Sequence, residues 1–260
     1  MPFRIILSVL MTLLSFNAVA IAEEFPLVTL VTENLPPLQY RNQNQELDGY
    51  SFDLITAAMA KSKLPYKLDV YPWARSYNLT KNKQDVCIFS IARIPERETM
   101  FHWVARLAET NTVIYGLRKS RLNIKTLDDA KNYNVAVIRD DATHLLLLKY
   151  GFEEKKNLYI VNNTESLLKL VYTKPEIDLI VADDVTIRYR AKNAGIAMSE
   201  FESLVVIENT SLNFHLACNL STQSIILERL KHGFSAIKKD GTLEQINNKW
   251  HDDVGDAYVQ

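Results

Sequence analysis

Continuous apolar runs alternate with apolar residues at helical spacing along the first part of the chain. Residues 27–31 carry no regular polar alternation, as expected of a buried parallel strand. Phe52, Ile55 and Met59 fall on one helical face. The predicted elements are strands over 27–31, 66–70 and 86–90 and helices over 51–62 and 73–81. This β-α-β-α-β order predicts a doubly wound α/β lobe.

The same alternation returns in the second part of the chain. The predicted helices are 127–131, 142–150, 164–172 and 185–194, the predicted strands are 134–138, 158–161 and 177–181, and two C-terminal helices cover 222–239 and 243–250. Two further strand-like segments, 112–117 and 213–218, stand between the alternating units, and neither is a Gly/Ser linker. We expect the chain to cross between two lobes through these segments, which then form a hinge that bends. One continuous sheet is the alternative.

These patterns predict an α/β fold of two doubly wound lobes joined by two hinge strands. Lobe I would comprise residues 23–114 and 217–260, and lobe II residues 115–216. In open α/β sheets, ligands bind beyond the carboxyl ends of the strands. A ligand cleft is therefore expected between the lobes.

The N-terminus has the pattern of a secretory signal peptide. A short basic region containing Arg4 precedes an apolar run over 5–16 that is too short to span a bilayer. Small residues then offer a cleavage site after Ala22, so residues 1–22 are predicted to be removed and the protein to reach the periplasm. An uncleaved anchor is the alternative.

Charge and histidine spacing exclude several classes of function. The chain has 30 basic and 31 acidic residues, which argues against a nucleic-acid partner. Its histidines lack zinc-ligand spacing, and neither a nucleophile elbow nor a phosphate loop is present. We therefore expect no metal, no cofactor and no catalytic residues. The five histidines are His102, His144, His215, His232 and His251.

Two cysteines, Cys87 and Cys218, lie far apart in sequence, each inside an apolar, strand-like run. Export permits a disulfide. Two buried free thiols are equally compatible with the pattern, and the spacing fits no zinc site. The sequence leaves the pairing open.

Arg97 is the main candidate for a ligand contact. It follows the predicted strand over 86–90, and a guanidinium offers a carboxylate two parallel, charge-assisted hydrogen bonds. An ion pair with the neighbouring Glu98 is the alternative. Asp183, which follows the strand over 177–181, could accept an ammonium group or cap the next helix. Trp73 could form an aromatic wall or pack in the core.

Three segments together resemble the periplasmic solute-binding proteins of family 3, the receptors for amino acids and similar small polar solutes. They are residues 90–98 (Ser-Ile-Ala-Arg-Ile-Pro-Glu-Arg-Glu), 48–54 (Asp-Gly-Tyr-Ser-Phe-Asp-Leu) and 239–250. The resemblance covers nearly the whole mature chain. It implies that Arg97 grips a ligand carboxylate, Asp183 accepts an ammonium and Trp73 stacks on the ligand. It also implies an acidic contact from Glu33 and a hydroxyl contact from Thr143.

The segment around Arg97 departs from the pattern of the family, which usually reads Ser-x-Ser/Thr-x-Thr-x-x-Arg. Ser90 matches the first serine, but Ala92 replaces the second hydroxyl residue and Ile94 replaces the threonine. Arg93 is an added cation. The departures suggest either a more acidic solute or a role for Arg93 in clamping the closed lobes.

The resemblance implies a monomeric receptor that delivers a small solute to an ABC permease in the inner membrane. A ligand-sensing domain for a membrane receptor is one alternative. An enzyme on the same fold is the other, since a few relatives act as dehydratases on small carboxylic acids. Such an enzyme would need a general acid or base in the cleft, such as Glu33 or His144.

Overall fold

A computed structural model describes residues 25–162, 165–207 and 212–255, so the predicted signal peptide lies outside the described residues. The strands are β1 Val28–Thr32, β2 Tyr40–Arg41, β3 Leu47–Asp48, β4 Tyr66–Val70, β5 Val86–Ala92, β6 His102–Thr110, β7 Thr112–Leu117, β8 Val135–Ile138, β9 Leu158–Val161, β10 Leu179–Asp183, β11 Phe201–Val206 and β12 Leu212–Cys218. The helices are α1 Tyr50–Ser62, α2 Trp73–Asn82, α3 Leu127–Ala130, α4 Ala142–Lys149, α5 Glu165–Thr173, α6 Thr186–Asn193, α7 Ser224–Lys239 and α8 Thr242–Val254.

Ten of the twelve described strands form two five-stranded sheets that share the same arrangement, and β2 and β3 pair with each other. One sheet has the order β4-β1-β5-β12-β6 and the other the order β11-β7-β10-β8-β9. In the first sheet β1 pairs in parallel with β4 and β5; in the second, β8 pairs in parallel with β9 and β10. Each half thus places its first strand between the next two, as in doubly wound sheets. The predicted fold of two doubly wound lobes is confirmed.

The two crossings between the sheets differ from the predicted hinge strands. β7 pairs along its length with β10 in the second sheet, and β12 pairs with β5 and β6 in the first, so neither strand spans both sheets. The chain changes sheets at Asn111, between β6 and β7, and again between β11 and β12. The prediction that 112–117 and 213–218 cross was wrong, because an apolar run reveals a strand but not its partner.

The crossing at Asn111 is held to the second lobe by Asp184. The carboxylate of Asp184 accepts hydrogen bonds from the Asn111 backbone N–H and side-chain amide, both at 3.1 Å. The Asp184 backbone N–H donates in return to the Asn111 carbonyl. The first of the two crossings is therefore the single residue Asn111, fixed by three hydrogen bonds.

Cys87 and Cys218 form a disulfide. They are directly opposite each other on β5 and β12, which run antiparallel at the centre of the first sheet. The structure therefore settles the open alternative in favour of the disulfide. Both residues are fully buried in the core of lobe I.

Helices α1 and α7 approach closely on one face of the first sheet. A Cβ added to Gly233 in α7 would lie 2.3 Å from the carbonyl oxygen of Ala58 in α1. No side chain fits at that distance, so glycine permits the contact. Across residues 25–162, 165–207 and 212–255, no helix is long and apolar enough to cross a membrane.

Candidate functional site

A narrow cleft separates the carboxyl ends of the parallel strands in the two sheets. Its volume is about 60 Å³, measured as the space open to the centre of a water molecule. Every predicted site residue except Arg93 lines it. The lining residues are Glu33, Leu35, Trp73, Ser90, Ala92, Arg97, Ile138, Asp141, Ala142, Thr143, Leu167, Val181, Ala182, Asp183, Thr186, Arg190 and Phe214.

Arg97 ends a short 3-10 turn just after β5 and is 1% exposed. Its Nη1 donates to the Ala92 carbonyl at 3.2 Å, and its Nη2 donates across the cleft to the Asp140 carbonyl at 2.9 Å. The guanidinium carbon lies 4.9 Å from the centre of the Trp73 ring and 5.2 Å from that of Tyr77. The guanidinium thus lies beside the stacked Trp73–Tyr77 pair at the floor of the cleft.

The Arg97 guanidinium makes no salt bridge within the described residues. Glu98, the alternative partner, pairs instead with Arg93, and none of the ion pairs in the described part of the chain includes Arg97. Its Nε is buried and finds no hydrogen-bond acceptor there either. Burial lowers the pKa of Arg97 below its ordinary value, yet an arginine keeps its charge in proteins. The floor of the cleft is therefore a buried cation that lies in the field of Asp141 without a salt bridge to it.

Asp183 both lines the cleft and caps the first turn leading into α6. Its carboxylate accepts hydrogen bonds from the backbone N–H of Val185 at 3.2 Å, from that of Thr186 at 2.8 Å, and from the Thr186 hydroxyl. Burial raises the pKa of Asp183, against the effect of the bonds from Thr186. Asp183 therefore caps this turn, as the alternative interpretation predicted. Its carboxylate still lies on the cleft wall, but three of its hydrogen-bond acceptor positions are already used.

The start of α4 presents an acid to the cleft. Asp141 accepts hydrogen bonds from the His144 backbone N–H and from the Thr143 hydroxyl, both at 2.7 Å. Thr143 is therefore committed to Asp141, whose pKa is raised by burial. His144 is 2% exposed; its ring accepts from the Asp140 N–H and faces Glu154 at 3.2 Å. The histidine lies behind α4 rather than in the cleft.

Ser90 has an unusual backbone conformation at the end of the central strand. Its φ is 58°, in the left-handed region that non-glycine residues rarely adopt. Its hydroxyl donates to the side-chain oxygen of Gln39 at 2.7 Å, and the Gln39 amide nitrogen is buried without a described partner. Such strained positions are concentrated at binding and active sites.

Glu33 and Arg190 stand on opposite walls. Glu33 follows β1 in lobe I, and Arg190 lies on α6 in lobe II. Burial raises the pKa of Glu33 to about 8, and the positive charge of Arg190 opposes that rise. Sequence reasoning missed Arg190. Its spacing of seven from Asp183, on the cleft face of the following helix, is the signal that could have found it.

Arg93 does not reach the cleft. It points to the outside of lobe I, where it makes a two-bond ion pair with Glu98 and lies 5.3 Å from the Trp103 ring. Glu98 belongs to the same lobe, so this pair joins no lobes. Arg93 is solvent-exposed because it points away from the cleft at the end of β5. The turn that follows β5 directs Arg97 into the cleft instead.

Contacts between the lobes include two at the cleft rim. The Asp140 carbonyl of lobe II accepts from Arg97 and, at 3.3 Å, from the Trp73 indole N–H. Tyr40 of lobe I and Tyr189 of lobe II place their rings 5.3 Å apart. Trp73 therefore forms a wall of the cleft and a bridge to lobe II, while its other face stacks on Tyr77.

Comparison with known proteins gives one family and one fold. A sequence model of the bacterial extracellular solute-binding proteins, family 3, matches residues 27–253. A histidine kinase sensor domain with similarity to periplasmic binding proteins superposes with a TM-score of 0.80 at 18% identity, covering 91% of this chain and 99% of that one. An ABC uptake transporter substrate-binding protein from Streptococcus pneumoniae with bound histidine gives 0.76 at 16% identity, covering 90% and 95%.

A third similar structure is the GluR0 ligand-binding core from Nostoc punctiforme in complex with L-glutamate. Its TM-score is 0.72 at 20% identity, and the alignment covers 86% of this chain and 99% of that one. None of the curated protein sequences compared with the chain matches it. Within the described residues, no group of three or more histidine, cysteine or acidic side chains is arranged to hold a metal ion.

Proposed function

The chain belongs to the bacterial extracellular solute-binding proteins of family 3, and from that premise we propose that it captures a small polar solute in the periplasm. The solute is an amino acid or a related carboxylate. The monomeric protein closes its two lobes on the solute and delivers it to an ABC permease in the inner membrane.

The buried Arg97, which makes no salt bridge within the described residues and whose Nε has no acceptor there, carries the proposal. A cation removed from water costs several kcal/mol unless a counter-ion and hydrogen bonds replace the lost hydration. An unmet buried donor such as the Arg97 Nε costs a further ~1–3 kcal/mol. A ligand carboxylate would supply a salt-bridge partner and the missing acceptor together. Each charge-assisted bond would contribute roughly 1.5–3 kcal/mol.

The other walls suit the remainder of an amino acid. The Asp183 carboxylate is an acceptor of the kind that an ammonium group, which has donors only, requires. Trp73 offers a flat apolar surface for the carbon chain. Ser90 and Thr143 also line the cleft, with their hydroxyl protons donated to Gln39 and Asp141. These assignments complete a zwitterion site between one guanidinium and one carboxylate.

Binding without turnover is the better supported role. Proteins of this family generally bind solutes rather than transform them. His144 lies behind α4 and faces Glu154, so it is badly placed to act on a cleft ligand. Glu33, with a pKa of about 8, has the protonation behaviour of a general acid, but the described cleft offers it no partner nucleophile.

Solute sensing is a second candidate, favoured by the likeness to a histidine kinase sensor domain. The ligand chemistry would be unchanged, and the partner would be a membrane receptor in place of a permease. The genes beside this one discriminate the two: a permease and an ATPase favour transport, and a receptor gene favours sensing.

A thermal-shift screen of the mature protein, residues 23–260, tests the proposal. The library contains the L-amino acids and small mono- and dicarboxylates, with the corresponding amino alcohols, which lack the carboxylate, as matched controls. A ligand that binds only the folded state raises the unfolding midpoint. We expect a rise with at least one carboxylate and none with its alcohol. A midpoint that no carboxylate raises, or that the alcohols raise equally, would overturn the proposal.

A further inference from the structure

One residue of lobe II is bound to lobe I through its carbonyl and to a buried histidine through its backbone N–H. We propose that His144 positions the backbone carbonyl of Asp140 against lobe I, and that protonation of the His144 ring releases this contact. His144 is thus a positioning residue that acts through Asp140 and does not touch the solute. The contact belongs to the chain itself, so its test needs no solute and is independent of the proposed function.

The backbone of Asp140 is held from both sides. Its carbonyl accepts hydrogen bonds from two side chains of lobe I, the Arg97 Nη2 at 2.9 Å and the Trp73 indole N–H at 3.3 Å. Its N–H donates to Nδ1 of His144 at 3.1 Å. The φ angle of Asp140 is 56°, in the left-handed region that non-glycine residues rarely adopt. Such a conformation persists only where its surroundings fix it, and the His144 ring supplies one of the contacts that do so.

The His144 ring can accept this hydrogen bond in one protonation state only. An Nδ1 that accepts carries no proton, so the single proton of the neutral ring is on Nε2. The side chain is buried, which gives water little access to the bond. Nε2 lies 3.2 Å from a carboxylate oxygen of Glu154, without the alignment of a hydrogen bond. The contact with the Asp140 N–H therefore requires the neutral ring.

Charged groups of both signs surround the ring and the turn that it holds. Glu154 faces Nε2 from the loop before β9. Asp141, beside the exposed Asp140 side chain, caps α4 and interacts electrostatically with His144. From lobe I, the Arg97 guanidinium reaches the same turn. Histidines gain a second proton between about pH 8 and 5, and a proton on Nδ1 ends the ability of that atom to accept.

The direction of the pH dependence follows from this change at Nδ1. A protonated Nδ1 would point a donor at the Asp140 N–H and leave that N–H without its acceptor. Relieving the conflict requires the ring or the turn to move, and movement of the turn takes the Asp140 carbonyl away from Arg97 and Trp73. The neutral ring therefore favours the contact between the lobes and the charged ring disfavours it. The contact weakens as the pH falls.

The indole N–H groups of the protein report this contact directly. The chain has three tryptophans. Trp73 donates its indole N–H to lobe II. Trp103 donates to the Glu98 carbonyl and Trp250 to the Asp53 carboxylate, both within lobe I. The last two indoles are therefore internal controls in every sample.

Exchange of the three indole protons with water is measured by ¹H–¹⁵N NMR on the mature protein, residues 23–260, without any solute. The spectra are recorded at pH 7.5 and 5.5, and Trp73→Phe identifies the Trp73 signal. In the wild type, acidification should accelerate exchange at Trp73 relative to the two control indoles. The expected change is about fivefold, the factor to which a net hydrogen bond of ~1 kcal/mol corresponds.

Two substitutions separate the hydrogen bond from the bulk of the side chain. Asparagine carries an acceptor oxygen near the position of Nδ1 and does not titrate, whereas leucine has a similar size and no acceptor. His144→Asn should keep the slow exchange at Trp73 and remove its pH dependence. His144→Leu should exchange fast at both pH values. The control His232→Asn, at an exposed position of α7, should behave as the wild type does.

Two results would overturn the inference. One is a wild-type exchange ratio between Trp73 and the control indoles that is the same at pH 7.5 and 5.5. The other is a folded His144→Leu with the wild-type ratio at pH 7.5. If His144→Leu fails to fold, His144→Asn decides, because an unchanged pH dependence in that variant refutes the role of the ring. The carboxylate screen tests the proposed function separately, since none of these samples contains a solute.

Discussion

Glu33 makes the stability of the ligand-free protein depend on pH in a predictable direction. Burial raises the pKa of Glu33 from 4.5 to about 8. The positive charges of Arg190 and Arg97 oppose this rise, and the negative charge of Asp141 adds to it. The folded protein therefore holds a proton that the unfolded chain releases above pH 4.5. Between pH 4.5 and 8 the folded state binds more protons, so the free energy of unfolding falls as the pH rises.

The magnitude follows from the size of the shift. A rise of about 3.5 pH units corresponds to a loss of at most about 5 kcal/mol, complete above pH 8. Partial contact of Glu33 with solvent screens its charge and reduces the loss. Glu33→Gln removes the titrating group and keeps its shape. The variant should therefore match the wild type near pH 4.5 and exceed it by about 2–5 kcal/mol at pH 9.

Urea unfolding of the ligand-free proteins at pH 5, 7 and 9, followed by tryptophan fluorescence, measures this difference. Glu228→Gln is the matched control, because Glu228 is exposed on α7. The free energy of unfolding of Glu228→Gln should change with pH in the same way as that of the wild type. If the difference between Glu33→Gln and the wild type is the same at pH 5 and pH 9, the reasoning about the buried carboxyl is refuted.

Two further predictions concern the core of lobe I. The disulfide closes a loop with a sequence separation of 131. The chain-entropy relation predicts that replacing Cys87 and Cys218 by alanine lowers the free energy of unfolding by about 5 kcal/mol. A decrease below about 1 kcal/mol, measured by urea unfolding, would contradict the prediction. Gly233→Ala would place a Cβ 2.3 Å from the Ala58 carbonyl and should cost about 1–3 kcal/mol or more, whereas Ser235→Ala on the exposed face should be nearly neutral. Since alanine ordinarily favours helices over glycine, a stabilising Gly233→Ala would disprove the close packing of α1 and α7.

Much of the fold could be predicted because its buried strands are continuous apolar runs. β1, β5, β8 and β10 stand out in this way, and β8 and β10 are each followed directly by a helix. β6 and β11 were missed because both lie at sheet edges. They mix exposed with buried positions irregularly, so their sequences lack the apolar–polar alternation that indicates a strand. The crossing at Asn111 could not be predicted either, since it depends on which strands pair.

The candidate site was predictable where a residue follows a strand directly. Glu33, Ser90 and Asp183 come from strand ends, and the topology alone brings them to one cleft. Arg190 comes from the second turn of a helix, and its inward direction depends on how α6 packs. Arg93 shows the converse limit: its sequence neighbours point to the cleft, but the turn after β5 directs it outward.

Calorimetric titration of Arg97 variants tests the central claim most directly. The ligand is the carboxylate that gives the largest rise in the thermal-shift screen, and the proteins are the wild type, Arg97→Met, Arg97→Lys and the control Arg93→Met. Losing two charge-assisted bonds to the ligand carboxylate should weaken Arg97→Met by more than about 100-fold. Arg97→Lys should be weakened less, and Arg93→Met should bind as the wild type does. A folded Arg97→Met that binds within a factor of about three of the Arg93→Met control, about 0.6 kcal/mol, would contradict the account.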